Sequence, residues 1–366
     1  MSKTLSAPLA PGSIIGILGG GQLGRMAASA AAELGYHCHI FCPEKNCPAS
    51  EVSKYTTTAN YDDEKALAEF AEHVDVVTYE FENVPAKTAA FLIDRVPVNP
   101  GPNVLHICQN RLREKDFCHS INVPTTRYAE VTNLKALDRV VRDIGRPCVL
   151  KTTEMGYDGK GQTFITPDTD LADAWKTVVG DRKQAETIIE ALVDFRMEIS
   201  VIVARSIQGD CLAYIPVENR HKNHILDQTI VPARISQKIS DRAEALARHM
   251  AEEMQLVGMM AVEMFVTTDD EILINEMAPR PHNSGHWSMD ACVTSQFEQF
   301  IRAIAGQVLG SVYRHSDAVM TNLLGKDVDN WAVILSDPAA KLHLYGKDEA
   351  KAGRKMGHVT KVIPRK

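Results

Sequence analysis

The stretch Lys151-Thr-Thr-Glu-Met-Gly-Tyr-Asp-Gly-Lys-Gly-Gln162 carries the most informative local pattern of the chain. Its three glycines lie between two strand-like runs, 147–152 and 163–166. Glycine lets a backbone approach a polyphosphate with its N–H groups exposed, and a neighbouring lysine neutralises charge. No G-x-x-x-x-G-K-[ST] string leads into a helix, so the stretch is not a P-loop. The pattern indicates a strand–loop–strand flap over nucleotide phosphates, and a Gly-rich hairpin without a ligand is the alternative.

The composition is that of an ordinary soluble globular protein, with 45% apolar and 24% charged residues. The 366 residues leave room for two or three domains. A net charge of −7 argues against a general nucleic-acid binder. The eight cysteines form no C-x-x-C pair, no apolar signal core opens the chain, and no apolar run reaches membrane-spanning length. These features predict a reduced, cytoplasmic compartment.

Strands alternate with helices as far as about residue 110, which predicts a doubly wound parallel sheet. A first strand, 13–18, precedes a helix from Gln22 to about Leu34. Alternation within His37–Cys42 favours a second strand over a zinc site. The chain from 103 to 145 is predicted to be mostly helical. Beyond it, shorter strands and hairpins, including a single strand 211–217, indicate an α+β region in two lobes.

The turn Gly19-Gly-Gly-Gln-Leu-Gly24 matches the G-x-G-x-x-G fingerprint between a strand and a helix. A dinucleotide site also needs an acidic residue at the end of the second strand, but that strand ends at Cys42 and Glu44 lies beyond a proline. The N-terminus of a helix can equally hold a single phosphate or another polar group. NAD, a different phosphorylated ligand and a purely structural turn therefore remain open here.

Glu263 and Glu276 form the strongest carboxylate pair of the sequence. A predicted hairpin, with strands 257–266 and 271–276, brings the two side chains opposite each other on a largely apolar face. Two such carboxylates repel unless one is protonated or a cation lies between them. Mg²⁺ takes one or two carboxylates plus substrate phosphates, and Asn275 could add an oxygen. The alternative is that one glutamate points to solvent.

The segment Ala278-Pro-Arg-Pro-His-Asn-Ser-Gly-His286 directly follows this hairpin and is dense in hydrogen-bond donors. Arg280 offers a planar fork suited to a small oxyanion such as bicarbonate or a carboxylate. A polar surface loop is the alternative. The basic stretch 341–366 is either a solvated end or a binding site for an anionic group.

Taken together, the chain resembles the ATP-grasp enzymes and, within them, the N5-carboxyaminoimidazole ribonucleotide synthetase family. The resemblance covers nearly the whole chain. It is carried by these motifs: GILGGGQLGRM (16–26), TYEFENVP (78–85), NRLREK (110–115), KTTEMGYDGKGQ (151–162), EALVDFRMEIS (190–200), ENRHKNHIL (218–226), NEMAPRPHNSGHW (275–287) and GRKMGHV (353–359). One departure is Met155, where the family usually has a glycine.

The resemblance implies an α/β and α+β architecture: an N-terminal Rossmann-like pre-ATP-grasp domain (1–110), a small lobe with the flap (111–195) and a C-terminal lobe (196–366). ATP would lie between the two lobes, with Arg111 and Lys151 on its phosphates, Glu190 to Val193 at the adenine and Glu198 at the ribose. The full set of implied ATP contacts is Arg111, Lys151, Gly156, Tyr157, Asp158, Gly159, Lys160, Gly161, Gln162, Glu190, Ala191, Leu192, Val193, Glu198, His221, Asn275 and Glu276.

The resemblance also implies an aminoimidazole ribonucleotide site and a bicarbonate site. The ribonucleotide would contact Gly20, Gly21, Gln22, Leu23, Glu80, Tyr157, Asp158 and Arg280, with its phosphate on Lys347, Arg354 and Lys355. Bicarbonate would be held by Arg280, His282 and Asn283, which with Asp158 form the expected catalytic set. Glu263 and Glu276 would hold Mg²⁺.

The implied reaction is carboxylation of the amine of 5-aminoimidazole ribonucleotide in de novo purine biosynthesis. ATP and bicarbonate would give carboxyphosphate, and Asp158 would orient the amine or take its proton. The family also suggests a homodimer and, because the chain ends soon after the basic stretch, a separate mutase for the product. The alternatives are another ATP-grasp ligase, such as a formate-using glycinamide ribonucleotide transformylase or a biotin-type carboxylase, an NAD-dependent oxidoreductase, and a nucleotide sensor without turnover.

Overall fold

The computed structural model describes residues 3–154 and 161–365. Their strands form three sheets, which lie in sequence order along the chain. No helix within these two ranges is long and apolar enough to cross a membrane.

The first sheet is parallel and has the strand order β3-β2-β1-β4. Its elements are β1 (Ile14–Leu18), α1 (Gln22–Glu33), β2 (His37–Cys42), β3 (Tyr55–Thr58), α2 (Glu64–Glu72), β4 (Val76–Tyr79) and α3 (Ala86–Ile93). The predicted doubly wound arrangement, the strand β2 and the helix α1 are confirmed. The edge strand β3 was not predicted, because its Tyr-Thr-Thr-Thr sequence has no buried side chain and no apolar alternation.

Two helices, α4 (Pro102–Cys108) and α5 (Arg111–Ser120), connect the first sheet to the second. The side chain of Asn110 caps α5 by accepting hydrogen bonds from the backbone N–H groups of Leu112 (2.9 Å) and Arg113 (3.2 Å). This cap satisfies N–H groups that the first helical turn leaves without partners. It also fixes the start of the helix whose first turn carries Arg111 to Glu114.

The second sheet is antiparallel, in the order β5-β8-β6-β7. Its elements are β5 (Tyr128–Val131), α6 (Leu134–Ile144), β6 (Cys148–Thr152), β7 (Gln162–Ile165), α7 (Leu171–Val179) and β8 (Thr187–Ala191). The prediction of mostly helix from 103 to 145 missed β5, which is only four residues long. The strands β6 and β7 pair directly, so the predicted strand–loop–strand pattern is confirmed, while the flap residues between 155 and 160 lie outside the described ranges.

The third sheet has nine strands, in the order β14-β13-β9-β11-β12-β15-β17-β16, with β10 paired to β9. Its strands are β9 (Phe195–Arg205), β10 (Cys211–Ala213), β11 (Val217–Lys222), β12 (Ile225–Val231), β13 (Gly258–Thr267), β14 (Ile272–Ala278), β15 (Ser316–Leu324), β16 (Ala340–Leu344) and β17 (Lys355–Pro364). Its helices are α8 (Gln237–Glu253), α9 (Ser288–Ala291), α10 (Gln296–Ile304) and α11 (Trp331–Ile334).

Two predictions about this sheet need correction. The predicted single strand 211–217 is two strands, β10 and β11, because Pro216 lies between them and has no N–H for a continuous ladder. The basic stretch after 340 is not a solvated end, since β16 and β17 pair with each other and β17 pairs with β15 along its length. The basic residues therefore stand on an ordered edge of the sheet.

The first and third sheets are held together by a shared core. Helix α1 packs on α10, and Ala27 and Ala31 belong to the same buried cluster as Phe300 and Ile304. Small residues on α1 let the two helices approach closely, and the burial of the aromatic and aliphatic partners provides the main stabilisation. This packing sets the position of the glycine turn before α1 relative to the loop that follows β14.

Candidate active site

Two adjoining cavities lie where the three sheets meet. The larger has a volume of about 560 Å³ and lies between the second sheet and the strands β13 and β14. The smaller, about 210 Å³, lies at the glycine turn before α1. Among the described residues, Arg280, His282, Asn283 and Lys355 line both cavities. A ligand in one cavity would thus reach the same side chains as a ligand in the other.

The strand β6 brings Lys151 to the wall of the larger cavity. Its Nζ lies 2.5 Å from Oε2 of the buried Glu190, whose Oε1 lies 3.8 Å from Nζ of Lys115. Burial acts to raise the pKa of Glu190, but Lys115 and Lys151 outweigh it and lower the pKa to about 2. Glu190 is therefore an ionised carboxylate between two ammonium groups.

The predicted adenine segment, 190–193, contributes to the cavity mainly through Leu192. The backbone N–H of Leu192 donates to the carbonyl of Pro147 (3.3 Å), and the backbone N–H of Ala191 donates to the carbonyl of Arg127 (2.9 Å). The carboxylate of Glu190 is directed at the lysines instead of the open cavity. The roles assigned to this segment, Val193 included, stay predictions.

Large apolar side chains form the wall next to Leu192. Phe195 and Phe265 stack with their ring centroids 4.6 Å apart and their planes at 23°. Val149 and Phe164 line the same cavity. Apolar walls with a few placed polar groups are typical of sites that take a flat heterocycle. None of these apolar residues except Leu192 was predicted from the sequence as part of the site.

Glu198 and His221, which were predicted separately, form one pair on the neighbouring strands β9 and β11. Nδ1 of His221 lies 2.7 Å from Oε2 of Glu198, and both residues line the larger cavity. Burial acts to lower the pKa of His221, but the Glu198 carboxylate raises it overall. The pair offers an acceptor and a donor side by side, which suits ribose hydroxyls.

The predicted hairpin placement of Glu263 and Glu276 is confirmed, since the two residues are direct partners across β13 and β14. Residues directly opposite each other in an antiparallel pair place their side chains on one face. Glu276 accepts from Nη1 of Arg111 (2.9 Å), and Glu263 lies 3.1 Å from Nε2 of His282. Burial acts to raise the pKa of Glu263, but His282 outweighs it and lowers the pKa to about 2.

A β-bulge next to this pair adds a third oxygen-bearing side chain. Glu263 pairs with Glu276 while Met264 pairs with Ile274, so Asn275 is the extra residue on β14. Asn275, Glu276 and Glu263 all line the larger cavity. Carboxylate and amide oxygens are the ligands that Mg²⁺ prefers, with the remaining positions filled by water and phosphate. The donor set therefore fits a magnesium ion that comes with a nucleotide.

The loop after β14 is held by one buried side chain, Gln296. Its Oε1 accepts from the backbone N–H of His282 (3.0 Å), and its Nε2 donates to the carbonyl of His282 (2.8 Å). The side chain of Arg280 is 15% exposed and donates from Nε to Glu82. Burial acts to lower the pKa of Arg280, but the Glu82 carboxylate outweighs it and raises that pKa above its usual value. Asn283 is buried, and within the described ranges neither its amide oxygen nor its amide nitrogen has a partner.

The orphaned amide of Asn283 points to a polar ligand. A buried polar group without a partner is costly, and such groups in functional proteins are completed by a ligand or water. Asn283 lies on the wall that the two cavities share, beside Arg280 and His282. This is the donor set that the sequence analysis assigned to bicarbonate, and the assignment stays a prediction.

Two N–H groups of the glycine turn before α1 are already bonded to a carboxylate. Both oxygens of Glu80 are used at the start of this helix, since Oε1 accepts from the N–H of Gly21 and Oε2 from that of Gly24 (2.7 Å). A carboxylate therefore stands where a phosphate would otherwise bind. Burial raises the pKa of Glu80. Glu80, Gln22 and Leu23 line the smaller cavity.

Gly20 is required at this turn by close packing. A Cβ on Gly20 would come 2.2 Å from Sγ of Cys47 and 2.8 Å from Sγ of Cys42. The two thiols are buried and lie 3.0 Å from each other. The backbone of the turn thus rests directly on the end of β2 and the loop after it.

The three predicted phosphate-binding cations of the C-terminal segment differ in position. Lys355 lines both cavities. Lys347 donates from Nζ to the carbonyl of Lys355 (2.8 Å), and its burial, followed by repulsion from Arg354, lowers its pKa to about 8. Arg354 donates from Nη1 to the carbonyl of Glu349 (3.0 Å). The cations are thus neighbours at the start of β17.

Several flap residues predicted to bind ligands lie outside the described ranges: Gly156, Tyr157, Asp158, Gly159 and Lys160. Of the two that follow, Gly161 has a positive φ of 70° and Gln162 lines the larger cavity. A left-handed backbone at Gly161 is a conformation that glycine adopts without strain. The flap's contacts stay predictions.

Three charged side chains at the site were not predicted from the sequence, and two of them, Glu82 and Glu114, line the larger cavity. Glu82 pairs with Arg280, Lys115 pairs with Glu190, and Glu114 accepts from the backbone N–H of Met277 (2.8 Å). Burial raises the pKa of Glu114 to about 8. The signal was present, because these residues belong to YEFENVP and NRLREK, motifs from which only Glu80 and Arg111 were assigned.

Comparisons with known proteins identify all three parts of the chain. Residues 13–109 match the ribonucleotide synthetase preATP-grasp domain, 116–297 the ATP-grasp domain and 318–365 the phosphoribosylaminoimidazole carboxylase C-terminal domain. The N5-carboxyaminoimidazole ribonucleotide synthase of Brucella melitensis is 45% identical over 100% of this chain and 99% of that protein. The enzyme of the same name from Bacillus subtilis is 43% identical over 98% and 93%.

A further relative is longer than this chain. The bifunctional purine synthesis protein purC/E of Dictyostelium discoideum is 48% identical over 96% of this chain, which spans 37% of that protein.

Solved structures agree with the sequence comparisons. The ADP complex of an N5-carboxyaminoimidazole ribonucleotide synthetase superposes with a TM-score of 0.94 at 45% identity, covering 98% of this chain and 94% of the other. An Aspergillus clavatus synthase in complex with ADP and 5-aminoimidazole ribonucleotide superposes with a TM-score of 0.90 at 30% identity, covering 97% and 94%. The chain has the ATP-grasp fold with an N-terminal pre-ATP-grasp domain and belongs to the N5-carboxyaminoimidazole ribonucleotide synthetases, a family of ATP-grasp ligases.

Proposed function

We propose that this protein carboxylates the amine of 5-aminoimidazole ribonucleotide to N5-carboxyaminoimidazole ribonucleotide, with conversion of ATP and bicarbonate to ADP and phosphate. The observation that carries the proposal is the shared wall of the two cavities. Arg280, His282 and Asn283 line both cavities. The larger cavity also contains lysine and arginine side chains suited to phosphates and a pair of carboxylates, and the smaller cavity lies at the glycine turn. A phosphoryl donor and an amine acceptor can therefore meet at one set of side chains.

The larger cavity suits ATP. Leu192, Phe195 and Phe265 offer an apolar slot for adenine, and the Glu198–His221 pair offers partners for the ribose. Lys151 and Arg111 would contact the phosphates, since both line the cavity as cations. Phosphoryl transfer depends mainly on positioning and on neutralisation of charge, and these side chains supply both.

Glu263, Glu276 and Asn275 would hold Mg²⁺, which when bound neutralises the charge of the phosphates. The Glu263 carboxylate is ionised, because His282 outweighs the effect of burial and keeps the pKa of Glu263 low, and Glu276 accepts a hydrogen bond from Arg111. Oxygen ligands for a hard cation are thus present without a proton having to leave first.

Bicarbonate would lie on Arg280, His282 and Asn283. An oxygen of bicarbonate attacks the γ-phosphorus of ATP, the bond to the β–γ bridging oxygen breaks, and carboxyphosphate and ADP result. The amine nitrogen of the ribonucleotide then attacks the carboxyl carbon, the carbon–oxygen bond to phosphate breaks, and phosphate leaves. Fixed donors on Arg280 and Asn283 stabilise the negative charge that develops on the carboxyl oxygens.

The amine must lose a proton in the second step. We propose that Asp158 orients the amine or accepts this proton, and that His282 helps to place bicarbonate. Replacement of Asp158 with Asn should collapse carboxylation while ATP affinity stays nearly intact. A parallel loss of ATP affinity would move the role of Asp158 to nucleotide contact.

The family membership supports three further parts of the proposal. We expect the protein to act in the cytoplasm as a homodimer, with a separate mutase that consumes the carboxylated product. The phosphate of the ribonucleotide would lie against Lys355, Lys347 and Arg354, because Glu80 already occupies the N–H groups of the glycine turn.

The test is Mg²⁺-dependent release of ADP, measured with 5-aminoimidazole ribonucleotide in the presence and absence of added bicarbonate. One carboxylated product per ADP, formed only when both substrates are present, supports the proposal. ADP release that does not respond to the ribonucleotide would point to another acceptor amine, as in other ATP-grasp ligases. No ADP under any condition would contradict the proposed reaction.

A further inference from the structure

Lys115, on helix α5, is a buried cation that no assigned role explains. Its side chain is almost entirely shielded from solvent, and its Nζ donates to the carbonyls of Ile274 (3.1 Å) and Asn275 (2.8 Å). The same Nζ lies 3.8 Å from Oε1 of Glu190. A buried ammonium group is costly unless hydrogen bonds and an opposite charge compensate it. For Lys115, the carbonyls of β14 accept the hydrogen bonds and Glu190 on β8 provides the opposite charge.

Glu190 is shared between Lys115 and Lys151. Its Oε2 lies 2.5 Å from Nζ of Lys151, while its Oε1 faces Lys115. Of these three residues only Lys151 lines the larger cavity. Lys115, Lys151 and Glu190 together carry one net positive charge, because two ammonium groups are combined with one carboxylate. Lys151 is the member that presents this charge to the cavity.

The net charge of this cluster would be zero without Lys115. Lys151 and Glu190 alone would form a neutral pair, and a polyphosphate would then meet a dipole in place of a cation. Charges inside a protein are screened far less than in water, so cancellation by a carboxylate at 2.5 Å would remove much of the attraction for phosphate. Glu190 is nevertheless useful, because it fixes the flexible Lys151 side chain.

The β-bulge on β14 explains how Lys115 stays in place. Asn275 is the extra residue between the pairs Glu263–Glu276 and Met264–Ile274, and its carbonyl accepts from Lys115. The neighbouring Glu114 directs its carboxylate to the backbone N–H of Met277 at 2.8 Å. Backbone carbonyls therefore hold the ammonium group without adding a full negative charge.

We propose that Lys115 is a positioning residue that balances the charge of Glu190, so that Lys151 is held in place and still acts as a net cation for the phosphates of ATP. This inference rests on the proposed function only in that the larger cavity binds an adenine nucleotide. The alternative is that Lys115 is a purely structural ion-pair partner without influence on nucleotide binding beyond folding.

The test compares Lys115→Met with the charge-balanced double variant Lys115→Met/Glu190→Gln. The single variant leaves a neutral cluster, so ADP affinity, measured by isothermal titration calorimetry, should fall about tenfold or more. The double variant again has one net positive charge, on Lys151, and its affinity should return to within about threefold of the wild type. Lys135→Met, which removes an exposed lysine of α6, is the control for a lost surface charge.

Kinetic constants provide a second readout that a structural role would not reproduce. Lys115→Met should raise the KM for ATP and leave the KM for the ribonucleotide nearly unchanged. A Lys115→Met protein that binds ADP like the wild type would overturn the proposal. If that variant does not fold, the double variant decides, because the proposal requires it to bind ADP within about threefold of the wild type, and much weaker binding by the folded double variant would overturn the proposal.

Failure of the proposed reaction gives a different result from failure of this inference. Wild-type protein that binds ADP but does not carboxylate the ribonucleotide would contradict the reaction, while the comparison of the two variants would still decide the role of Lys115. Wild-type protein without affinity for ADP would overturn both.

Discussion

Nη1 of Arg111 lies 2.9 Å from Oε2 of Glu276, so a cation from helix α5 is paired with a carboxylate that we assign to Mg²⁺. Arg111 and Mg²⁺ would therefore compete for Glu276 until a nucleotide is present. When ATP binds, its phosphates can form ion pairs with the guanidinium group of Arg111, and Glu276 then becomes available to the metal ion. We therefore expect the pair to couple metal binding to nucleotide binding.

This coupling predicts opposite effects of Arg111→Met on two ligands. Mg²⁺ binding without nucleotide should become about tenfold tighter, since Glu276 loses its guanidinium partner, whereas ADP binding should weaken about tenfold or more. Both affinities are measurable by isothermal titration calorimetry. The matched control is Arg113→Met on the same helix, where the lost partner is the surface residue Glu154. Parallel weakening of both ligands would contradict the competition.

Glu82 should matter for catalysis although it was not predicted as a site residue. It pairs with Arg280 in a partly buried position, where its carboxylate can fix the orientation of the guanidinium fork. Replacement of Glu82 with Gln should lower kcat by about 10–100-fold and raise the KM for bicarbonate, as is typical for loss of a supporting partner. The KM for ATP should stay nearly constant.

The control for Glu82 is Glu298→Gln, which removes the carboxylate partner of Arg302 on α10, away from both cavities. That variant should retain the wild-type kinetic constants. If Glu82→Gln and Glu298→Gln behaved alike in steady-state kinetics, the role of Glu82 would be limited to stability.

The sequence predicted the parts of the site that depend on local periodicity. Alternation along β13 and the length of the hairpin were sufficient to place Glu263 opposite Glu276. Likewise, the strand-to-helix pattern around the first glycine turn gave β1, α1 and β2 nearly to the residue. These features follow from side-chain directions in regular strands and helices.

Other parts could not be derived because they depend on pairs that are distant in sequence. The bulge at Asn275 and its contact with Lys115 join residues 160 positions apart. Glu82 and Arg280 are 198 positions apart. The motifs that carry the resemblance contain these residues, but their sequences do not show which residues pair. The position of the Glu190 carboxylate between two lysines could likewise not be derived from its motif.

Close packing at Gly20 predicts a steric effect on the smaller cavity. A methyl group at this position would overlap Cys47, with Sγ at 2.2 Å and Cβ at 2.6 Å. Gly20→Ala should therefore displace the turn and raise the KM for the ribonucleotide by about tenfold, because positioning contacts of this kind are sensitive to shifts of an ångström. The KM for ATP should change much less.

A second substitution tests whether this steric overlap is the cause. Removal of the opposing side chain in Gly20→Ala/Cys47→Gly should recover part of the affinity for the ribonucleotide. Gly101→Ala provides the control, since a Cβ there meets no atom within 4 Å. A double variant as impaired as Gly20→Ala would show that the glycine is needed for a reason other than the contact with Cys47.

A stack of buried histidines predicts how stability depends on pH. The ring of His358 stacks on His286 (4.7 Å between centroids) and His343 (4.6 Å), and its Nδ1 lies 2.9 Å from Oη of Tyr345. Burial lowers the pKa of His286 and His358 well below 6.5. Both rings are therefore neutral in the folded protein at a pH where the unfolded chain already binds protons.

The sign of the effect follows from linkage between protonation and folding. A histidine with a lowered folded-state pKa contributes stability above its unfolded pKa of 6.5, and this contribution is lost as the pH falls below that value towards the folded pKa. For each unit by which the pH falls in this range, each such histidine should lower the free energy of unfolding by about 1.4 kcal/mol. Urea unfolding of wild type and His358→Gln between pH 7 and pH 5 measures the slope. His358→Gln should be less stable than the wild type at pH 7. Its free energy of unfolding should fall less steeply as the pH falls, because its unfolded chain has one histidine fewer to bind a proton. Equal slopes would show that His358 is charged in the folded state.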